Sequence, residues 1–353
     1  MLFSAKPAST ARIIGLTMVL LAHGISDARA AGPDPTPVTP ELIAAAKKEG
    51  SVVWYGSEDL QLVTAVAKAF EAKYPGIKAT AERSGAERNF QRISQEYASN
   101  IYVVDVVTSS NPGPILYWKC NDLLEPFVPE DVAKWPAADR DPEGYYAADC
   151  LTFAAMGYNS RLVKPEEAPK SFAELLDPKW KGKLVKAHPG YSGTIVTSTL
   201  ALSQALGWDY FEKLGQQQIL QVQSAVDPPR KVAQGERPVM VDGAEASALQ
   251  LIRSGAPIVL VYPVEGTPAV TLNGAVMKRA PHPNAARLFM NFLYSREAQQ
   301  IFVDYGFRSV HPDVSEPSGR KPLSEIKVLR TDPEEQERAG GEIKSRYARY
   351  FGI

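Results

Sequence analysis

Short apolar runs alternate along this chain with stretches in which apolar residues return every three or four positions, and small polar residues mark each change. Thr39-Pro40 reads as an N-cap followed by proline at the first helical position, and Gly50 as the matching stop. Ser51 to Tyr55 (SVVWY) predicts a buried strand, Gly56-Ser57-Glu58-Asp59 a loop, and Leu60, Val63, Ala67 and Phe70 one face of a helix that ends at Tyr74-Pro75-Gly76. Ile77 to Glu82 predicts a second strand, Ser84-Gly85 a loop, and Phe90, Ile93 and Tyr97 a second helical face. Tyr102 to Val107 (YVVDVV) predicts a third strand, with Ser109-Ser110-Asn111-Pro112-Gly113 as the loop after it. Strand, polar loop and helix in this recurring order are the signature of a doubly wound α/β sheet. Ligands bind such sheets outside the carboxyl ends of the strands, so Ser57, Ser84 and Ser109 fall on the expected binding edge. One hydroxyl in such a place ordinarily caps the next helix; three at one edge point to a ligand.

A second α/β unit begins near Leu151. Leu151 to Tyr158, Lys183 to Ala187, Pro238 to Val241 and Ile258 to Tyr262 read as strands. Helices are predicted over Ser171 to Asp177, stopped by Pro178, and over Ile195 to Leu206, Ala246 to Ser254, Pro283 to Leu293 and Arg296 to Tyr305. Val264 to Thr271 runs extended, and a charged helix starts at Pro333 with Gly340-Gly341 weakening its middle. No repeat of solenoid period is present.

Composition narrows the class. At 44% hydrophobic and 22% charged residues the chain can build an ordinary core. Lys6 and Arg12, the apolar stretch Ile13 to Ala22 and the small-residue site Ala28-Arg29-Ala30 form a secretory signal, cleaved after Ala30. Its apolar stretch is far below the ~20 residues a membrane helix needs, and Ala31, not cysteine, follows the cleavage site. The expectation is a soluble periplasmic protein with no membrane insertion. The formal net charge is −1, and segment 1–30 is itself basic, so the remainder is mildly acidic and has no footprint for nucleic acid. Two cysteines in an oxidising compartment predict one disulfide, Cys120 to Cys150, which would constrain the unfolded chain by about 3–4 kcal/mol.

The richest local motif is His188-Pro189-Gly190-Tyr191-Ser192-Gly193-Thr194. Gly190 and Gly193 permit a tight turn, Ser192 and Thr194 offer hydroxyls, and the start of the following helix is a ready anion site. Tyr191 adds a phenol or a stacking face; the plain alternative is an N-cap turn. Asp242 and Glu245 follow a strand and open a helix, where they either cap it or take an amine or hydroxyl of a ligand. Glu58 and Asp59 pose the same choice, and Arg83 and Arg88 flank Ser84-Gly85 where a ligand anion would sit. The stretch Gly190 to Gly193 is not a nucleophile elbow, and no H-E-x-x-H, Walker loop or dinucleotide glycine pattern is present. No catalytic residue is identified and no cofactor is called for.

Asp177-Pro178-Lys179-Trp180-Lys181-Gly182-Lys183 (DPKWKGK) resembles the hallmark of extracellular solute-binding proteins of ABC importers. The branch it is similar to is the ferric-iron, thiamine, phosphonate and polyamine binding one. Gly207 to Phe211 (GWDYF), Gly255-Ala256-Pro257-Ile258 before Val261-Tyr262-Pro263, and Phe289 to Ala298 (FMNFLYSREA) extend the likeness. The resemblance implies a type II periplasmic binding protein fold, α/β and two-lobed, with the ligand cleft between lobes joined by two crossing strands. Leu151 to Phe153 and Glu265 to Thr271 match the crossings. Lobe one is then residues 40–150 plus 272–353, and lobe two residues 151–271. The implied function is a monomeric receptor that captures a small polar organic solute by hinge closure and hands it to a membrane permease. Ser57, Ser84, Ser109, Tyr191, Ser192, Gly193, Thr194, Asp242 and Glu245 are the expected ligand-binding residues. Ferric-binding members carry two adjacent tyrosines after the strand that matches Pro238 to Val241; here the stretch reads Asp242-Gly243-Ala244-Glu245-Ala246. Iron is therefore the alternative rather than the leading ligand, and a membrane sensor kinase is the alternative partner.

Overall fold

The computed structural model describes residues 1–2, 32–317 and 320–352. The signal read in residues 1–30, with its cleavage site, lies outside the described residues. Among the described residues no helix is long and apolar enough to cross a membrane.

The first strands follow the predicted alternation. α1 (Pro40–Glu49) starts at Thr39, whose hydroxyl accepts from the Leu42 amide, and stops at Gly50 with φ 74°. β1 (Ser51–Gly56), α2 (Leu60–Lys73), β2 (Lys78–Arg83), α3 (Ala86–Ala98) and β3 (Val106–Ser109) follow, with β1 parallel to both β2 and β3. β3 begins at Val106 rather than Tyr102 because Asp105 turns its carboxylate onto the Val53 and His282 amides. α4 (Pro112–Cys120) begins inside the segment Ser109 to Gly113 that reads as a loop: Pro112 stands in its first turn, and Asn111 caps it by accepting from the Gly113 amide.

β4 (Leu124–Glu125) leads to the long β5 (Ala147–Asn159), then β6 (Leu184–Ala187), α5 (Gly193–Leu206), α6 (Trp208–Gly215), β7 (Leu220–Val222) and α7 (Asp227–Ala233). β8 (Val239–Ala244), α8 (Glu245–Arg253), β9 (Ile258–Val261) and β10 (Thr267–Met277) complete the second unit. α9 (Pro283–Leu293), α10 (Arg296–Asp304), β11 (Val328–Leu329) and α11 (Pro333–Phe351) return the chain. The helix expected over 171–177 is two 3-10 turns, Ala173–Leu176 and Pro178–Trp180, because Pro178 cannot continue a helix and Asp177 instead caps the second turn.

The strand order is β2-β1-β3-β10-β5-β8-β6-β7. β5 pairs with β10 from Ala147 to Phe153 and then with β8 and β9 from Ala154 to Asn159, so one strand serves two half-sheets. Each half has its own core. In the first, Trp54, Phe70 and Phe289 pack under α2 and α9 on one face, and Tyr55, Ile115 and Trp118 under α3 and α4 on the other. In the second, Phe172, Trp180, Tyr210 and Phe211 form one layer and Val185, Met240 and Ala248 the opposite one.

The expected bridge between Cys120 and Cys150 is absent; both are free thiols. Cys150 is fully buried in the layer under α2 and α9, whereas Cys120 ends α4, whose apolar residues pack on the other face of the sheet. The sheet separates them. Burial pushes the Cys150 thiol well above its ordinary pKa, so it is an inert core group.

Candidate functional site

Parallel strands β1, β2 and β3 end side by side, and the loops after them form one wall of a cleft. None of the three predicted serines caps a helix with its side chain: Asp59, Gly85 and Asn111 hold the cap positions of α2, α3 and α4. Ser57 Oγ accepts from the Ser110 amide at 2.9 Å, and Ser109 Oγ bonds the backbone of Asn111, which ties the β1 and β3 loops together. The facing wall comes from the ends of β6, β7 and β8. Ser192 stands at the cap position of α5, yet its side chain bonds none of that helix's amides. Tyr191 beside it is 41% exposed.

The two walls touch. A Cβ on Gly193 would stand 2.7 Å from the Asn111 Cβ and 2.9 Å from the Ala86 Cβ, and a Cβ on Gly85 would collide with the Tyr191 carbonyl oxygen. Arg83 Nη2 donates to Ser224 Oγ at 2.9 Å while its Nε donates to the Glu58 carbonyl at 2.8 Å. Arg88 reaches Gln223 and holds its guanidinium 5.1 Å from the centre of the Tyr191 ring. These residues, with Ser84, enclose a cavity of about 90 Å³ at the cleft mouth. Burial lowers the pKa of Arg83, and the Asp59 and Asp227 carboxylates oppose that.

Asp242 and Glu245 are placed differently from the other predicted residues. β8 continues to Ala244, so Asp242 lies inside the strand with its carboxylate against Lys186 of β6 and Ser198 of α5. Both ions are fully buried; burial raises Asp242 and lowers Lys186, and each charge opposes the other's shift. Glu245 accepts from Tyr262 at 2.6 Å, from Arg320 at 2.7 Å and from Arg308 at 3.2 Å. Of the nine predicted residues, Ser84 and Tyr191 line the cavity at the cleft mouth, and Ser57, Ser109, Ser192 and Gly193 stand in the loops and helix start behind it. Thr194 is buried in the first turn of α5, and Asp242 and Glu245 are paired with the protein's own cations.

Sequence reasoning missed Asp149, Lys186, Arg308 and Arg320. A charged residue inside an apolar strand, as in Ala147 to Phe153 (AADCLTF) or Leu184 to Ala187 (LVKA), is the signal that could have found the first two. Glu58 and Asp149 are both buried. Glu58 Oε2 accepts from Thr108 at 2.8 Å, but Glu58 Oε1 and both Asp149 oxygens have no hydrogen-bond partner. Burial raises the Glu58 carboxyl; burial and the adjacent Glu58 charge push Asp149 well above the usual carboxylate range. Among the described residues, no group of three or more His, Cys, Asp or Glu side chains is gathered as a metal site would need.

Two half-sheets of this order, joined by two crossing strands and meeting along loop-lined walls, define a two-lobed binding protein of the type II periplasmic class. The chain belongs to the bacterial extracellular solute-binding proteins, matching that family over residues 52–308. AfuA of Actinobacillus pleuropneumoniae, solved with fructose-6-phosphate bound, has the same fold at a TM-score of 0.79 and 24% identity, over 86% of this chain and 99% of its own. Iron-bound HitA of Pseudomonas aeruginosa follows at 0.74 and 21%, over 85% of this chain and 99% of its own. An uncharacterized protein of Haemophilus influenzae is 28% identical over 267 residues, 72% of this chain and 76% of that protein.

Proposed function

We propose that the protein is the periplasmic receptor of an ABC importer. It captures a small polar organic solute bearing a phosphate, phosphonate or carboxylate, closes its lobes on it and delivers it to the membrane permease. The observation that carries this reading is the cavity in which Arg83 and Arg88 of one wall meet Tyr191 and Ser224 of the other. An oxyanion there contacts both lobes at once, so its binding energy favours closure. Guanidinium forks suit oxyanions, and the amides at the start of α5, uncapped by Ser192, add partial positive charge. The lobes are residues 40–150 with 272–353, and 151–271; export is directed by the signal cleaved after Ala30. Capture proceeds by reversible binding to a monomer and needs no covalent step.

The sugar phosphate held by AfuA supports this reading. HitA's iron favours a second one, capture of ferric ion. Against it, Asp242 and Glu245 are already engaged by Lys186, Arg308 and Arg320, and no tyrosine replaces them at the end of β8. A thermal-shift screen of sugar phosphates, phosphonates, carboxylates, amines and ferric citrate separates the two. The expected result is stabilisation by at least one oxyanionic solute, weakened in Arg83→Ala and Arg88→Ala. Failure of every organic solute, together with a visible tyrosinate-to-iron band after ferric citrate, would establish the iron reading instead.

A further inference from the structure

A second cavity, of about 250 Å³, lies on the hinge rather than at the cleft mouth. Its floor is the crossing strand β10, through Thr271 and Asn273, and Thr197 of α5 forms part of the wall contributed by lobe two. Arg140 comes from the segment before β5, and Arg330 and Gln336 from the chain's last stretch, beyond the residues that match the family. Neither Arg140 nor Arg330 forms an ion pair or a side-chain hydrogen bond among the described residues, although an arginine lining a polar hollow ordinarily finds an acidic partner. Asp139 shares the hollow; burial raises its pKa and the Arg330 charge opposes that. Among the side chains that line the cavity, the two guanidiniums outnumber the Asp139 carboxylate even when it is ionised. α4 and α11 both begin at its rim, with Pro112 and Pro333 in their first turns; Asp332, Glu334 and Glu335 offset the positive end of α11, so the end of α4 is the one that adds to the arginines.

We propose that this hinge cavity is a second ligand site, which takes a small oxyanion between Arg140 and Arg330 independently of the solute at the cleft mouth. A volume of about 250 Å³ is below that of a drug-sized pocket and suits inorganic phosphate or a compact polycarboxylate. The wall draws residues from both lobes. Gln336 Nε2 donates to Thr197 Oγ1 at 2.7 Å and to Asn111 Oδ1 at 2.8 Å, and so joins the tail to both lobes beside the cavity. An anion held here stabilises that arrangement and so tightens capture of the transported solute.

The test is thermal denaturation of the full mature chain over a titration of inorganic phosphate, and separately of citrate, at constant ionic strength. Wild type is compared with Arg140→Ser, Arg330→Ser and Arg83→Ser. Arg330 is exposed, so its replacement leaves the fold intact, which the far-UV circular dichroism of each variant checks. The expected result is a saturable upward shift whose half-point rises at least tenfold in Arg140→Ser and Arg330→Ser. A shift lost only in Arg83→Ser would place the anion at the cleft mouth and overturn the hinge site while leaving the proposed function standing. No saturable shift with either anion would also overturn it.

Discussion

Gly85 and Gly193 carry the contact between the lobes because each lies where a methyl group would strike the opposite wall. Gly85 has an ordinary φ of −67°, so alanine there disturbs closure and not the local backbone. Gly85→Ala should cost the ligand-free protein no more than the loss of a glycine cap, about 1 kcal/mol, and weaken solute binding at least tenfold, read by calorimetric titration; unchanged affinity would refute the closed contact. Asp149 makes a separate prediction through pH. Its folded-state pKa is raised by burial and by Glu58, so the folded protein holds a proton that the unfolded chain releases. The group's contribution to stability therefore falls as pH rises from the ordinary carboxylate range through the raised folded value. Asparagine keeps the neutral shape and can donate to Glu58 Oε1, which has no partner. Asp149→Asn should raise the melting temperature at pH 8, with a gain that shrinks toward pH 4. Equal gains at both, or a loss at pH 8, would contradict the buried carboxyl pair.

Helix α11 has an unexpected part among the elements. It follows the second crossing, which by chain order gives it to lobe one, yet it packs on α4 and also on α5 and α6. Ile343 joins Val196 and Leu200 in one apolar cluster, Lys344 pairs with the buried Glu87 of α3, and the Tyr347 hydroxyl donates to Gln221 at 2.9 Å. Gln336→Leu would leave Asn111 Oδ1 and Thr197 Oγ1 without this donor, at a cost of about 1–3 kcal/mol. Equilibrium urea unfolding should show a lower midpoint at unchanged slope; an unchanged midpoint would make α11 an appendage rather than a tie between lobes. Periodicity made the strands and most helices legible, because it reports which face of each element is apolar. It failed at the start of α4, where Pro112 imitates a turn but occupies the first helical turn.

At the scale of the whole molecule, the strand-loop-helix alternation and the family motifs were enough to give the fold class, a two-lobed α/β binding protein of the type II periplasmic kind. What stayed hidden depends on which way a side chain points once strands are in register. Cys150 faces a different layer from Cys120, and the extension of β8 to Ala244 turns Asp242 toward Lys186 instead of the cleft. The partners that neutralise Glu245 come from Arg308 and Arg320, far along the chain, and no local pattern announces such a meeting. Conversely, Arg83 and Arg88 beside Ser84-Gly85 were visible as candidate anion ligands, and the closed lobes bring Tyr191, Gln223 and Ser224 to them. The central claim is that an oxyanionic solute is gripped there by both lobes. Isothermal titration of the sugar phosphates, phosphonates and carboxylates into wild type, Arg83→Ala and Arg88→Ala tests it most directly. The account predicts one-to-one binding of at least one of these solutes to the wild type, weakened at least tenfold by either substitution. Full-strength binding to both variants, or no heat from any oxyanion, would contradict it.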